Sequence, residues 1–375
     1  MTDHCQIPRS IEKIFSASHC STAYLGGSLT VGVGASDTSR KSFRALFTAY
    51  LYEKYHPVYH NQVSEIMGAV GACESYVAAF TLGRNILPAN PDLALVEFCV
   101  NDFNVPDRTL VLKGMEGIVR QLLSARCDVM ILGAGSRQGN IDHSAHRQIA
   151  EHYDLPFVDM QAHIFARLKE RNLSWDDVAL EFEINDPWHV NDLGNFFYFE
   201  AIRDEFEKQV ELFRAGRKRE RNAPLPPPIV SDELQHVRLI DPTVRHRNLS
   251  LTGKWDPKPA EFVPWYFDHV LMGRPGATMT LNFKGTAAAV FGLMYHNGLK
   301  LEAELDGKEI PGFYIRHFIE FGKGLVMAHG LPDGEHELKL TVGEPSHRHN
   351  KLADPAAQVA FLGVASKAET PQQAG

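Results

Sequence analysis

Residues 93–102 read LALVEFCVND, a short continuous apolar run that stops at an asparagine and an aspartate. Leu93 to Val100 has the length and composition of a strand covered on both faces. A second such run, VMILGAG at 129–135, follows a helical segment near Met115 to Leu123. Upstream, Ala23-Tyr24-Leu25 leads into GGSLT at 26–30. RKSFRALFTAYLYEKY then sets Phe43, Leu46, Phe47, Tyr50 and Leu51 on one helical face. Downstream, HSAHRQIAEHY reads as helix, LPFVDM as strand and LGNFFYFEAIRDEFEKQVELF as a long helix. Alternating strands and helices predict a parallel sheet wrapped by helices, an α/β fold.

The pattern breaks at RAGRKRERNAPLPPPIV, Arg214 to Val230, where a basic run meets clustered prolines. The basic run reads as a solvated helix end, since Lys and Arg suit a helix C-terminus. Prolines cannot continue a helix and favour an extended connector. The predicted boundaries are 1–220 for the α/β domain, 221–230 for a proline-rich linker and 231–375 for a second domain. Beyond the break the apolar period becomes two, in MTLNFK (279–284), LKLEAEL (299–305) and HELKLTV (336–342). The turn signals Asp306-Gly307 and Pro332-Asp333-Gly334 adjoin these runs. Half-buried antiparallel strands follow, and with them an all-β sandwich of jelly-roll type.

The whole chain has 375 residues, 44% of them hydrophobic, 22% charged and 10% aromatic. That profile excludes a disordered, collagenous or coiled-coil chain. With 38 basic against 46 acidic residues the net charge is −8, so no global field recruits nucleic acid or an acidic membrane. The five cysteines (Cys5, Cys20, Cys73, Cys99, Cys127) are odd in number and lack C-x-x-C spacing. They read as free thiols of a reducing compartment. No signal peptide and no run long enough to span a bilayer is visible. A soluble cytoplasmic protein is expected, with oligomeric state undetermined.

In an open parallel sheet, ligands sit beyond the carboxyl ends of the strands. There the sequence places Gly26-Gly27-Ser28-Leu29-Thr30, then Asn101-Asp102, and, before the last helix, DPWHVNDLG at 186–194. On these residues the chain resembles the SGNH hydrolases, the GDSL-like esterases and lipases. The matching blocks are GGSLT with Ser28, SEIMGAVG with Gly68, CVND with Asn101, and DPWHVNDLG with Asp186 and His189. The resemblance covers about residues 20–210 and implies a three-layer α/β/α, flavodoxin-like hydrolase domain.

It further implies roles. Ser28 is the nucleophile, His189 its general base and Asp186 the carboxylate that orients the imidazole. The oxyanion hole is the backbone N–H of Ser28, that of Gly68, and the Asn101 amide. Gly71 is a competitor for the Gly68 role. Two positions depart from the family: Gly27 replaces its aspartate before the serine, and Cys99 its glycine two before the asparagine. The first bears on how the nucleophile loop is held. The second suggests a narrowed pocket beside Asn101.

Other residues carry weaker signals. Asp102 reads as a brace for its loop. His143, His146, His347 and His349 lack carboxylate or cysteine companions at zinc spacing and read as surface histidines. Arg137 is a surface arginine with a possible role toward an anionic substrate group. Gly32-Val33-Gly34 lacks the third glycine of a dinucleotide loop. Trp255, Trp265, Tyr266 and Tyr295 read as core or interface, with sugar stacking as the alternative.

The expected function is a metal-free and cofactor-free serine esterase acting on short acyl esters, acetyl foremost, with acylated carbohydrate as a substrate class. O-acyl transfer, lipase or thioesterase activity with the same residues, and a non-catalytic glycan-binding scaffold, remain as alternatives.

Overall fold

The computed structural model describes the chain except residues 1–2, 17, 56–62, 181–185, 220–223, 261–266, 294–298, 314–321, 345–355 and 368–375. Of the residues singled out above, Trp265, Tyr266, Tyr295, His347 and His349 lie outside the described residues. The chain divides into two compact units, Met1–Ser231 and Asp232–Gly375.

The first unit is built on five parallel strands: β1 (Cys20–Gly26), β2 (Val63–Ala69), β3 (Leu93–Glu97), β4 (Asp128–Leu132) and β5 (Phe157–Val158). Their order is β2-β1-β3-β4-β5. This is the doubly wound flavodoxin-like order, which opens a crevice where β1 meets β3. Every residue of β1 and β3 is buried, as expected of strands covered on both faces. The apolar run 93–100 is not one strand, however. Backbone pairing ends at Glu97, and a short helix starts at Cys99.

Nine helices of the described residues wrap this sheet. They are α1 (Pro8–Phe15), α2 (Ser28–Val31), α3 (Phe43–Tyr55), α4 (Ser75–Asn85), α5 (Cys99–Asp102), α6 (Arg108–Ser124), α7 (Ser144–His152), α8 (Met160–Glu170) and α9 (Asp192–Arg214). On α3, Phe43, Phe47 and Leu51 enter the core while Leu46 and Tyr50 pack partly buried against it. The 3.6-residue apolar period thus finds its face. α9 opens at Asn191, whose side-chain oxygen accepts the N–H of Leu193 and of Gly194, satisfying two donors a helix start leaves open. Among the described residues no helix is long and apolar enough to cross a membrane.

The proline-rich stretch is strapped along the first unit rather than free. Arg120 donates to the Pro226 carbonyl, and His152 Nε2 hydrogen-bonds the Pro227 carbonyl. The buried Glu116 carboxylate accepts the N–H groups of Ile229, Val230 and Ser231 in succession. Isolated prolines cannot reveal such a tie, because its acceptor lies 113 residues away in sequence.

The second unit is a β-sandwich of two antiparallel sheets. The strands are β6 (Val237–Ile240), β7 (Leu249–Thr252), β8 (Trp255–Pro259), β9 (His269–Gly273), β10 (Thr278–Gly285), β11 (Ala287–Leu293), β12 (Leu301–Leu305), β13 (Lys308–Phe313), β14 (Gly322–Ala328), β15 (Gly334–Val342) and β16 (Ala357–Ala365). One sheet runs β13-β12-β15-β10-β7 and the other β14-β11-β16-β9-β8, with β6 beside β16. Successive strands from β9 to β12 cross from sheet to sheet. Met279, Leu281 and Phe283 of β10 alternate inward and meet Val290 of β11 and Val359 of β16 in one core. Asp306 and Gly307 both adopt positive φ, 52° and 72°, in the two-residue turn that joins β12 to β13. That is the geometry a type I′ hairpin demands.

Candidate active site

Ser28 is the first residue of α2, immediately beyond the end of β1. Gly26, the last residue of β1, is confined: a Cβ there would stand 2.2 Å from Thr30 Oγ1 and 2.5 Å from the Glu97 carbonyl. β1, α2 and the end of β3 therefore close on one another around glycine backbone. As an N-terminal helical residue, Ser28 has no intrahelical acceptor for its N–H.

The segment 186–191 approaches from the other side. Asp186 Oδ1 accepts the N–H of Trp188 at 2.8 Å and of His189 at 3.0 Å, which folds the chain into a tight Asx turn. Asp186 Oδ2 meets His189 Nδ1 in a short hydrogen bond. His189 Nε2 lies 2.7 Å from Ser28 Oγ. Burial works against ionisation of Asp186, yet the imidazole and the two N–H groups outweigh it and hold the carboxyl below the ordinary aspartate range. An ionised carboxylate on Nδ1 leaves Nε2 facing the serine hydroxyl, as general-base chemistry requires.

Two backbone contacts that the sequence did not announce fix this segment, one from Arg137 and one from Gly34. The Arg137 N–H donates to the Pro187 carbonyl at 2.8 Å. The Arg137 guanidinium pairs with Asp176. Gly34, at φ +97°, lies so near Val190 that a Cβ would be 2.3 Å from its carbonyl oxygen. The GVG stretch is thus the seam between the serine helix and the histidine segment at Gly34, while Gly32, at φ +101°, packs against Ser42; neither glycine needs a dinucleotide to explain it.

Asn101 stands on α5, at the carboxyl end of β3. Its carboxamide lies over Gly27, with Oδ1 2.1 Å from where a Cβ of residue 27 would be. Asn101 is thereby adjacent to the turn that carries Ser28. Asp102 braces α5 from beneath: its oxygens take the Ser75 N–H at the start of α4 (2.9 Å) and the His146 ring of α7 (3.1 Å).

His146 and His143 are buried, correcting the surface reading. His143 Nε2 bonds the Ala134 carbonyl, and burial lowers its pKa. Cys99 is also corrected. Its thiol turns into the core toward the Leu132 carbonyl, and burial pushes its pKa well up. It does not narrow the pocket beside Asn101.

Gly68 sits inside β2, paired with Leu25 of β1. A Cβ on it would strike Ile86 at 2.4 Å and Leu25 at 2.7 Å, so close apolar packing accounts for this glycine. Gly71 lies past the strand end, where Val70 still donates to the Gly26 carbonyl. Among the described residues the Gly71 N–H has no acceptor. Nor does any described group of three or more His, Cys, Asp or Glu suit a metal ion.

Residues 24–195 match the model of the GDSL-like lipase/acylhydrolase family. No curated protein sequence matches the chain. Among solved structures, a two-domain esterase (CEX) active on acetylated mannans, co-crystallised with mannopentaose, superposes with a TM-score of 0.82. Identity is 18%, over 98% of this chain and 96% of that one. The same esterase crystallised as CEX active on acetylated mannans gives 0.80 at 17% identity, covering 97% and 96%. At such identities the likeness is one of fold.

Proposed function

Because residues 24–195 belong to the GDSL-like lipase/acylhydrolase family, we propose that the chain is a serine esterase removing short acyl groups, acetyl foremost, from carbohydrate. The observation that carries this reading is the unbroken relay from Asp186 through His189 to Ser28 Oγ.

Ser28 Oγ attacks the ester carbonyl carbon as His189 Nε2 takes its proton. Asp186 stabilises the resulting imidazolium. The oxyanion of the tetrahedral intermediate is received by the Ser28 N–H, the Asn101 amide and a second backbone N–H. We assign that last donor to Gly71, because its N–H is unengaged at the strand end while Gly68 is packed inside β2. Collapse of the intermediate expels the sugar hydroxyl, protonated by His189, and leaves an acyl-Ser28 ester. Water, deprotonated by His189, attacks that ester and releases the carboxylic acid and the free serine.

The whole-chain likeness to an esterase described as active on acetylated mannans supports acetylated carbohydrate as substrate and an accessory role for the β-sandwich. The test is aryl-acetate and acetylated-oligosaccharide hydrolysis by wild type and Ser28→Ala, with mass spectrometry after a fluorophosphonate probe. Loss of roughly 10⁴-fold or more in kcat, with label on Ser28 alone, is expected. Equal rates, or label elsewhere, would refute it.

A further inference from the structure

Glu97 ends β3 four residues before Asn101, and it is 1% exposed. No carboxylate is needed there by the chemistry above. Its carboxyl faces two elements of the site at once. The nearby polar groups that favour its ionised form are the Val100 N–H, the Thr30 hydroxyl and the Cys99 N–H. Thr30 belongs to α2, which carries Ser28; Cys99 and Val100 belong to α5, which carries Asn101. Neither Glu97 oxygen nor Thr30 Oγ1 closes a hydrogen bond of standard geometry among the described residues. The group is therefore a buried polar joint with slack, set between the two helices that must stay in register.

We propose that Glu97 is a positioning residue that keeps α2 and α5 in register and so aligns Ser28 with Asn101. It touches neither substrate nor the Ser28 side chain, and the inference rests on Ser28 being the nucleophile. A neutral carboxyl offers one donor and an acceptor, so it can serve the Thr30 hydroxyl and an α5 N–H together. The titratable groups facing it are Asp102 and Cys99 on α5 and Tyr198 on α9, none of them a cation. Ionisation would leave a buried, uncompensated charge that draws water between the helices. Burial pushes this carboxyl up to about 8, so the joint holds at neutral pH and fails in mild alkali.

The experiment is the pH profile of kcat on aryl acetate for wild type, Glu97→Gln, Glu97→Leu and Thr30→Val, with thermal melts as a folding control. Wild type is expected to lose kcat above about pH 8. Glu97→Gln keeps neutral activity and lacks that alkaline limb. Glu97→Leu lowers kcat by roughly 10-fold to 10²-fold, through misplacement, with KM little changed. Thr30→Val leaves the carboxyl in place but removes a donor that eases its ionisation, so the limb moves to higher pH; this variant serves if the Glu97 substitutions do not fold. An alkaline limb unmoved by Glu97→Gln and by Thr30→Val, or full activity in Glu97→Leu, overturns the proposal. A wild type that takes no probe at Ser28 overturns the nucleophile reading instead.

Discussion

The Asn101 carboxamide occupies the space that any side chain at residue 27 would need, with Oδ1 2.1 Å from a Cβ there. Gly27 has φ −89°, which every residue adopts, so the restriction is steric and comes from Asn101 alone. Restoring a side chain should push the amide off the nucleophile turn. Gly27→Ala and Gly27→Asp are expected to lose kcat toward the roughly 10²- to 10³-fold of a lost oxyanion donor. In an Asn101→Ala background Gly27→Ala should cost almost nothing more, since the clash is gone. A double-mutant cycle on aryl acetate reads this coupling, and additive losses would refute it.

Gly34 couples the serine helix to the segment that carries His189. Its φ of +97° and the 2.3 Å approach to the Val190 carbonyl leave no place for a methyl group. Gly34→Ala should destabilise the protein by about 1–3 kcal/mol from backbone strain alone. It should also lower kcat, because Val190 follows His189 and must move. Thermal melts and aryl-acetate kinetics check both effects; a variant with wild-type melting and kcat would show that the seam is loose.

Much of the fold is legible in the sequence because it rests on local periodicity. The strand runs at β1, β3 and β4, the helical face of α3 and the Asp306-Gly307 hairpin each depend on residues near one another. Ser28 and Asn101 are legible for a topological reason: they follow β1 and β3, the neighbours at the switch point of the sheet. What escaped is contact over long separation. The burial of His146 depends on Asp102, 44 residues away, and the glycine at 34 on Val190. Glu97 did leave a signal, as the lone acid in the apolar run 93–100.

Arg137 offers a sharp contrast between backbone and side chain. Its N–H holds the Pro187 carbonyl, while its guanidinium pairs with the largely exposed Asp176. An exposed ion pair contributes about 0–1 kcal/mol. Arg137→Ala keeps the backbone contact, so kcat and KM on neutral acetyl esters should stay within about twofold of wild type by that measure. A selective rise in KM for substrates bearing an anionic group would instead assign the guanidinium to substrate binding.

The Glu116 tie predicts where the chain opens first. One carboxylate satisfies three successive N–H groups of the strap and the Tyr153 hydroxyl. Hydrogen bonds to a charged acceptor contribute roughly 1.5–3 kcal/mol apiece, though not additively. Glu116→Ala should therefore release residues 229–231 before the sheet unfolds. Limited proteolysis should cut near Val230 far faster than in wild type, while the ester-hydrolysis rate of the uncut protein is retained. Unchanged resistance to cleavage would show that the prolines hold the strap without Glu116.

Glu97 also makes stability depend on pH, in a direction opposite to that of a paired carboxylate. Its folded value of about 8 lies above the ordinary 4.5. Between those values the folded state holds a proton that the unfolded chain releases, so stability falls as pH rises. Each unit of separation corresponds to about 1.4 kcal/mol, giving a decline on the order of 5 kcal/mol across the window. Glu97→Gln removes the ionisable group and with it this slope. The variant should match or trail wild type near pH 5 and exceed it progressively toward pH 8. Urea unfolding at intervals across that range measures the difference, in which the titration of every other group cancels to first order. A constant offset between the two proteins would mean that Glu97 is already ionised in the folded state.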